Sequence, residues 1–284
     1  MSALDDLAHD IAAREHASPG LKPDNEARVV FAPGARDRRP LAVVYLHGFT
    51  ASQAEGAPGH RAIAEACGAH LYLARLRGHG SDDPSAMAGS TAERWTADAD
   101  GALDIGLRLG ERVVLVGTSM GGTLALDLAA RRGEAVAGVA TWSPGIRVHD
   151  PAQLAAAVAM TGAIAVEGER TDFQRRYWSQ AVHTDGVRAL ASLFDERMRP
   201  ERLARIACPV FMGAWDGGEG DRDTLTSVAA MREAFGWLGT PDQRKRWASY
   251  RQAAHVLASP ERSRAAARVI DDTLDFVREM GWAR

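Results

Sequence analysis

Residues 112–131 read RVVLVGTSMGGTLALDLAAR. The apolar run Val113–Val116 is typical of a strand covered on both faces of a parallel sheet. A helix-like stretch, Thr123–Arg131, follows after only a few residues. So abrupt a turn strains the backbone of its central residue, while flanking glycines let neighbouring segments approach closely. This G-x-S-x-G context predicts that Ser119 is a nucleophile, presented above the carboxyl edge of a sheet at the start of a helix.

Strand-like and helix-like segments alternate along most of the chain. The alternation predicts an α/β fold, with a mostly parallel central sheet and helices on both faces. A turn-like run, Pro33–Asp37, favours an antiparallel hairpin between the first two strands. The predicted strands are Arg28–Ala32, Leu41–Leu46, His70–Ala74, Arg112–Val116, Val136–Thr141, Pro209–Gly213 and Arg246–Tyr250. The predicted helices are Ala57–Cys67, Ala92–Leu109, Met120–Arg131, Val228–Leu238 and Pro260–Met280.

One long interval, from Pro144 to about Ala207, contains no convincing strand. Its length greatly exceeds what a crossover between neighbouring strands needs. We therefore expect residues 146–196 to form a helical cap within a single domain of residues 1–284. Helices are predicted there at Ala152–Met160, Thr171–Ala181 and Gly186–Arg197, and a separate amino-terminal helix, Ser2–Arg14, is expected to dock as a surface appendage.

Composition excludes several classes of protein. With 46% hydrophobic and 25% charged residues, the 284-residue chain has enough apolar surface to fold. A formal charge of −3 argues against nucleic-acid binding through bulk positive charge, and the two cysteines require no disulfide framework. The acidic start lacks a signal pattern, and the longest weakly polar stretch, 152–166, is too short to span a bilayer. We expect a soluble cytoplasmic protein without stable membrane insertion, and the sequence leaves its oligomeric state open.

A serine nucleophile needs a base to take its proton. Among the nine histidines, His255 follows the predicted last strand and precedes the last helix, where the base is expected. The acid has two candidates in one loop. Asp216 directly follows the strand Pro209–Gly213, whereas Asp223 has Leu225 two places on and a helix soon after. These surroundings favour Asp223 slightly, and Asp216 remains open.

Acyl transfer also needs backbone N–H groups aimed at the developing oxyanion. Met120, the residue after the nucleophile, is expected to supply one of them. Phe49, in the run Tyr45-Leu46-His47-Gly48-Phe49-Thr50 after an early strand, is expected to supply the other. Gly48 allows the close approach, and His47 is expected to brace the loop rather than act as a base.

By these motifs the chain resembles the α/β-hydrolase superfamily, in the branch of small serine esterases and monoacylglycerol-lipase-like enzymes. The resemblance covers about Leu41 to Trp282 and includes Leu46–Thr50, Leu76–Gly80, Gly117–Gly122 and His255, in the order Ser, Asp, His. It implies an α/β-hydrolase fold with a helical cap inserted after the sixth strand. The long acid loop and a cap without a recognisable motif depart from the family's pattern.

The resemblance implies a carboxylesterase or lipase-like enzyme acting on a small-molecule ester through an acyl-enzyme, with no cofactor and no metal. Trp142, Tyr177 and Trp178 are aromatic candidates for the substrate pocket. Two other reactions on the same triad remain open: carbon–carbon hydrolysis, and an aminopeptidase whose cap carboxylates hold the substrate amine. Candidates for those carboxylates are Glu167, Glu169 and Asp172. A catalytically idle ligand-binding module is the alternative from another class.

Overall fold

The computed structural model describes residues 2–166 and 168–283 of the chain. Its strands are β1 Arg28–Val30, β2 Arg39–Leu46, β3 His70–Leu73, β4 Gly110–Thr118, β5 Val136–Trp142, β6 Ala163–Ala165, β7 Ala181–His183, β8 Val210–Gly218, β9 Asp221–Arg222 and β10 Lys245–Tyr250. Its α-helices are α1 Ala3–His16, α2 Gly59–Ala66, α3 Ala92–Leu109, α4 Met120–Arg131, α5 Pro151–Ala159, α6 Asp172–Tyr177, α7 Thr184–Arg197, α8 Pro200–Leu203, α9 Val228–Trp237 and α10 Ala266–Glu279.

The central sheet has the strand order β1-β3-β2-β4-β5-β8-β10, and β9 pairs with β8 outside this path. Every neighbouring pair from β3 to β10 is parallel, whereas β1 is antiparallel to β3. Alternate residues of β2 are buried on opposite faces of the central sheet. Val44 belongs to the core cluster beneath α3 and α4, and its neighbours Val43 and Tyr45 belong to the cluster beneath α2 and α10. The predicted mostly parallel sheet with helices on both faces is confirmed.

The predicted hairpin between the first two strands is wrong. β3 lies between β1 and β2, so β1 is an edge strand paired only with β3 in the described sheet. The intervening run Pro33–Asp37 is tied to β3 by the imidazole of His70. The backbone amide of Ala32 donates to its Nδ1, at 3.0 Å, and its Nε2 lies 2.8 Å from the carbonyl oxygen of Asp37.

The interval 146–196 contains the three predicted helices, as α5, α6 and α7, but it also contains two strands. β6 and β7 form a small antiparallel pair of three residues each, separate from the central sheet. Strands this short leave no periodic pattern in the sequence, which is why the interval was expected to be purely helical. Counted along the described chain, the interval follows the fifth strand, β5, and not the sixth as expected.

The amino-terminal helix α1 is part of the main core. Its residues Leu4, Leu7 and Ile11 are buried and join the cluster that contains α3 and α4. Glu15 near its end forms a two-pronged ion pair with Arg75, which follows β3, at 2.5 and 3.0 Å. In the described part of the chain no helix is both long and apolar enough to cross a membrane.

Candidate active site

The turn at Ser119 has the strained geometry predicted from the sequence. β4 ends at Thr118, Ser119 has φ 52° and ψ −119°, and α4 begins at Met120. A positive φ is rare for a residue with a side chain and persists only where the surroundings hold it. The Ser119 amide donates to the carbonyl oxygen of Trp142, at 3.1 Å, and the Gly145 amide donates to the Ser119 carbonyl, at 3.0 Å.

Glycine is required at position 121 for a steric reason. A Cβ there would lie 1.9 Å from the carbonyl oxygen of Leu46, a distance that no side chain tolerates. The start of α4 therefore lies directly against the carboxyl end of β2. This close approach places Ser119, which is partly exposed, beside the turn His47–Thr50.

His255 lies in the loop between β10 and α10, and its imidazole is held by Asp223. Its Nδ1 is 2.7 Å from Asp223 Oδ2, and its side chain is 13% exposed. Burial opposes the imidazolium form, but the facing carboxylate outweighs that effect and raises the pKa of His255. With Nδ1 bound to the acid, Nε2 is the ring nitrogen left for proton transfer.

Asp223 is fully buried and accepts several hydrogen bonds. The Leu225 and Thr226 amides donate to Oδ1, at 2.9 and 3.1 Å, and the Thr226 hydroxyl donates to Oδ2, at 3.0 Å. Burial by itself would raise the pKa of Asp223. The His255 charge and these donors outweigh it and lower the pKa to about 2, so the group stays a carboxylate.

The other aspartates of this loop have different partners. Asp216, still within β8, pairs with Arg232 of α9 at 2.5 Å and does not contact His255. Asp221 accepts from the indole Nε1 of Trp215, at 2.6 Å, and from the Gln252 amide, at 2.9 Å. The loop therefore forms a β8–β9 hairpin. The hydrogen bond from the Gln252 amide to Asp221 connects this hairpin to the segment that carries His255.

The turn after β2 is braced by His47. The Leu76 amide donates to His47 Nε2, at 3.1 Å, so the imidazole proton is on Nδ1, which donates to the Gly48 carbonyl, at 2.9 Å. Burial lowers the pKa of His47 to about 3 and keeps it neutral. In residues 2–166 and 168–283, no group accepts a hydrogen bond from the Phe49 or Met120 amide. In the described residues, both amides thus remain free to donate a hydrogen bond.

Glu55 is a residue of this site that the sequence reasoning missed. It is 2% exposed and lies on a single 3-10 turn, Gln53–Gly56. One carboxyl oxygen accepts from the Gly48 amide and from the Tyr45 hydroxyl, the latter at 3.2 Å. Burial raises its pKa to about 8. The available signal was a lone acid among small residues, six places after the predicted oxyanion donor.

Two of the three predicted pocket aromatics lie near the site. Tyr177 and Trp178 are buried with Ala51, which follows the turn His47–Thr50, and Val256, which follows His255. The Ser179 amide donates to the Thr50 carbonyl, at 2.8 Å, and joins this aromatic segment to the turn. The Tyr177 hydroxyl donates to Asp24, at 2.6 Å.

Trp142 does not fit the pocket role predicted for it. Its side chain is fully buried in the core cluster beneath α2 and α10, and its Nε1 donates to the Thr273 hydroxyl, at 3.2 Å. Trp142 is the last residue of a strand whose side chains alternate between the two covered faces, and the sequence pattern does not distinguish a core face from a pocket wall.

A cavity of about 510 Å³ lies between α5 and α7. Leu154 of α5, Phe194 of α7 and Met198 contribute apolar walls to it. None of Ser119, His255 and Asp223 lines it.

The carboxylates considered for amine recognition have unsuitable surroundings where the structure describes them. Glu169 is exposed, and Asp172 forms an ion pair with Arg175 on the same helix. Glu167 lies outside the described residues. Across residues 2–166 and 168–283, no group of three His, Cys, Asp or Glu side chains has the geometry to hold a metal ion.

Comparison with solved structures shows similarity in fold over nearly the whole chain. A structure from work on LipS and LipT, two metagenome-derived lipolytic enzymes, is 21% identical with a TM-score of 0.74 and covers 91% of this chain and 99% of its own. Monoacylglycerol lipase from Paleococcus ferrophilus is 16% identical with a TM-score of 0.66, covering 91% and 100%. Monoglyceride lipase from Saccharomyces cerevisiae is 12% identical with a TM-score of 0.71, covering 90% and 91%.

Curated proteins include no match to this sequence. The family model described as alpha/beta hydrolase family matches residues 43–279, which include the Ser119 turn, Asp223 and His255. The match spans well over half of the chain and agrees with the sheet order and the strand–turn–helix at Ser119. The chain belongs to the alpha/beta hydrolase family.

Proposed function

We propose that the protein is a serine hydrolase that cleaves carboxylic esters through an acyl-enzyme intermediate. Ser119 is the nucleophile, His255 the general base and Asp223 the acid that orients it. The observation that carries the proposal is the 2.7 Å hydrogen bond between His255 Nδ1 and the buried Asp223 carboxylate, in a chain whose nucleophile turn has the strained backbone of an activated serine.

In the first half-reaction Ser119 Oγ attacks the ester carbonyl while His255 Nε2 takes the hydroxyl proton. The carbonyl oxygen becomes an oxyanion, which accepts hydrogen bonds from the Phe49 and Met120 amides. The tetrahedral intermediate collapses, the bond to the alcohol breaks, and His255 returns the proton to the departing alkoxide. Water, deprotonated in turn by His255, then attacks the acyl carbon. The bond to Ser119 Oγ breaks, His255 returns the proton to this oxygen, and the carboxylic acid product leaves.

Asp223 contributes by remaining ionised throughout this cycle. Its carboxylate holds the imidazole in the tautomer that leaves Nε2 unprotonated, and it stabilises the imidazolium that forms in both half-reactions. Full burial of the carboxylate strengthens this interaction, because little water competes for the charges.

Substrate selection is assigned to the inserted segment, residues 146–196, acting as a cap within one catalytic domain. Tyr177 and Trp178 pack against Val256, next to His255. The Ser179 amide donates to Thr50 in the turn His47–Thr50, which we name the oxyanion turn after the role proposed for its Phe49 amide. An ester with an apolar acyl group suits such surroundings. The similarity to lipolytic enzymes and a monoacylglycerol lipase supports a carboxylesterase or lipase-like activity.

The alternatives are less well supported. Aminopeptidase activity needs acids that face the substrate amine, whereas Glu169 is exposed and Asp172 is already paired with Arg175. An idle binding module has no use for a buried carboxylate bonded to an imidazole together with a strained serine turn. Carbon–carbon hydrolysis would use the same residues, and no feature of the site favours it over ester hydrolysis.

The test combines covalent labelling with a substrate panel. A fluorophosphonate should label the wild type and the Ser85→Ala control, in which a serine outside the site is changed, and should not label Ser119→Ala. p-Nitrophenyl esters of increasing acyl length, measured beside aminoacyl-naphthylamides, should show ester turnover and no amidase activity. Labelling of a folded Ser119→Ala protein, or turnover of the naphthylamides alone, would contradict the proposal.

A further inference from the structure

Glu55 is a buried carboxyl group that the mechanism above does not use. It is 2% exposed, and in the described residues no lysine or arginine lies within ion-pair distance of it. Its hydrogen bonds come from two uncharged donors, the Gly48 amide and the Tyr45 hydroxyl. The Tyr45 oxygen also lies 2.9 Å from the Thr118 hydroxyl, in the residue before the nucleophile. The imidazolium form of His255 favours the Glu55 carboxylate, but the cost of burying that charge outweighs this effect, so the pKa of Glu55 is raised and the group keeps its proton at neutral pH.

Gly48 lies between Glu55 and Ser119. A Cβ on Gly48 would be 3.1 Å from Glu55 Oε1 and 3.3 Å from Ser119 Cβ. The carboxyl group therefore approaches the nucleophile across a single glycine, on the side of the oxyanion turn. By accepting the Gly48 amide, it also holds the peptide that precedes the Phe49 amide.

The charge of this carboxyl group matters because negative charge develops nearby during acyl transfer. An oxyanion at the Phe49 and Met120 amides would be repelled by a carboxylate on the far side of Gly48, in surroundings where little water screens the repulsion. An uncharged carboxyl group accepts the same hydrogen bonds without this penalty. The site thus needs the shape and acceptor oxygen of Glu55 but not its charge.

We propose that Glu55 is a positioning residue of the oxyanion turn that acts in its uncharged form, so that its ionisation switches off ester hydrolysis at alkaline pH. The inference rests on the proposed function. Ionisation of Glu55 then sets the upper limit of the pH range in which the enzyme is active. Protonation of His255 sets the lower limit.

The tyrosines, His60 and Asp24 around Glu55 titrate outside the range in which Glu55 ionises, and His255 changes activity in the opposite direction. On β2, burial raises the pKa of Tyr45 well above its usual value, and on α2 it lowers that of His60 to about 3. On α6, burial and the neighbouring Asp24 raise the pKa of Tyr177. The pKa of Asp24 itself is lowered, because it forms ion pairs with Arg28 and Arg176. His255 has a raised pKa, and its deprotonation increases activity instead of reducing it. An alkaline loss of activity therefore points to Glu55.

The kinetic test measures kcat and kcat/KM for a short-chain p-nitrophenyl ester from pH 5.5 to pH 10. The wild type should fall at least about tenfold from its plateau between pH 7.5 and 9.5, as expected for loss of one proton. Glu55→Gln, which keeps an uncharged acceptor, should hold its plateau to pH 10 within about threefold of the wild-type maximum. The matched control Glu65→Gln, an exposed acid on α2, should keep the wild-type profile.

Three kinetic results would overturn the proposal: no alkaline fall in the wild type, the same fall in Glu55→Gln, or a Glu55→Gln protein that is folded but inactive at every pH. The last would show that the carboxylate charge itself is needed. A protein that hydrolyses no ester at any pH would contradict the proposed function instead, and a second measurement, independent of catalysis, then decides the state of Glu55.

That measurement is the difference in free energy of unfolding between the wild type and Glu55→Gln, from urea titrations at a series of pH values. The pKa of Glu55 is about 8 when folded, above its ordinary value of 4.5, so unfolding releases its proton between these limits. Wild-type stability relative to Glu55→Gln should therefore be highest below pH 4.5, decline up to about pH 8 and then level off. A difference that does not change with pH would show that Glu55 is not held uncharged and would overturn the inference.

Discussion

Asp223 and Glu55 are two buried carboxyl groups, one bonded to His255 and the other lying against Gly48 next to Ser119, and their surroundings shift their pKa values in opposite directions. Their exposures, 0% and 2%, are nearly equal. Asp223 accepts four hydrogen bonds, one of them from His255, and its pKa is lowered to about 2. Glu55 accepts two, neither from a charged partner, and its pKa is raised to about 8. Burial alone therefore does not decide the charge of an acid; the number and charge of its donors do.

The largest expected effect comes from removing the proposed nucleophile or the proposed base. Ser119→Ala and His255→Ala should each lower kcat for p-nitrophenyl esters by about 10⁴–10⁶, because the members of a triad act as one unit. The folds should remain intact, as checked by circular dichroism and thermal melting. A well-folded Ser119→Ala protein with more than a trace of ester hydrolysis would contradict the assignment.

The next effect separates the two candidate acids, Asp223 and Asp216. Asp223→Asn should lower kcat by about 10⁴, since an amide at this position favours the wrong imidazole tautomer. Asp216→Asn is the matched control, because Asp216 pairs with Arg232 and not with His255. We expect a loss of less than about tenfold from it. The opposite ranking, measured with the same ester, would move the acid role to Asp216.

A smaller effect, on stability, tests the charge of Asp223 directly. Its folded pKa of about 2 lies below its ordinary value of 3.8, so its contribution is present above pH 4 and is lost as the pH falls through 2. A shift of this size corresponds to about 2 kcal/mol. The free energy of unfolding of the wild type, relative to Asp223→Asn, should fall by about this amount between pH 4 and pH 2. A constant difference would mean that Asp223 is not a carboxylate with a lowered pKa.

The smallest effect concerns the aromatic segment over the site. Trp178→Ala should change the preference between short and long acyl esters by about tenfold, which is the usual effect of reshaping an apolar pocket. Met160→Ala is the control, because Met160 is exposed on the same inserted segment. If kcat/KM across the acyl series matches the wild type in both variants, the acyl pocket lies elsewhere.

Local patterns predicted a large part of this molecule. The bounds of α3 and α4 follow from the sequence residue for residue, and each central strand was located to within a few residues, because periodicity and abrupt strand-to-helix turns are properties of neighbours in the chain. The nucleophile turn belongs to this class. The strand–turn–helix context of G-x-S-x-G predicted a strained turn at Ser119, whereas the hydrogen bonds with Trp142 and Gly145 that hold its backbone come from the next strand and the loop after it.

Other features depend on which distant segments meet. Two of them join residues far apart in the chain: the pairing of β1 with β3 and the contact between Asp223 and His255. A third, the burial of Glu55 against the Gly48 amide, depends on where a side chain packs. Neighbours in the chain favour Asp223 over Asp216 only slightly, and none of them marks Glu55 as a buried acid rather than a surface one. The sequence by itself determined the order of elements, the serine turn and the region of the base. The tertiary structure decided which acid bonds to His255 and which acid is buried with only uncharged hydrogen-bond donors, because packing brings the donors and their charges to each acid.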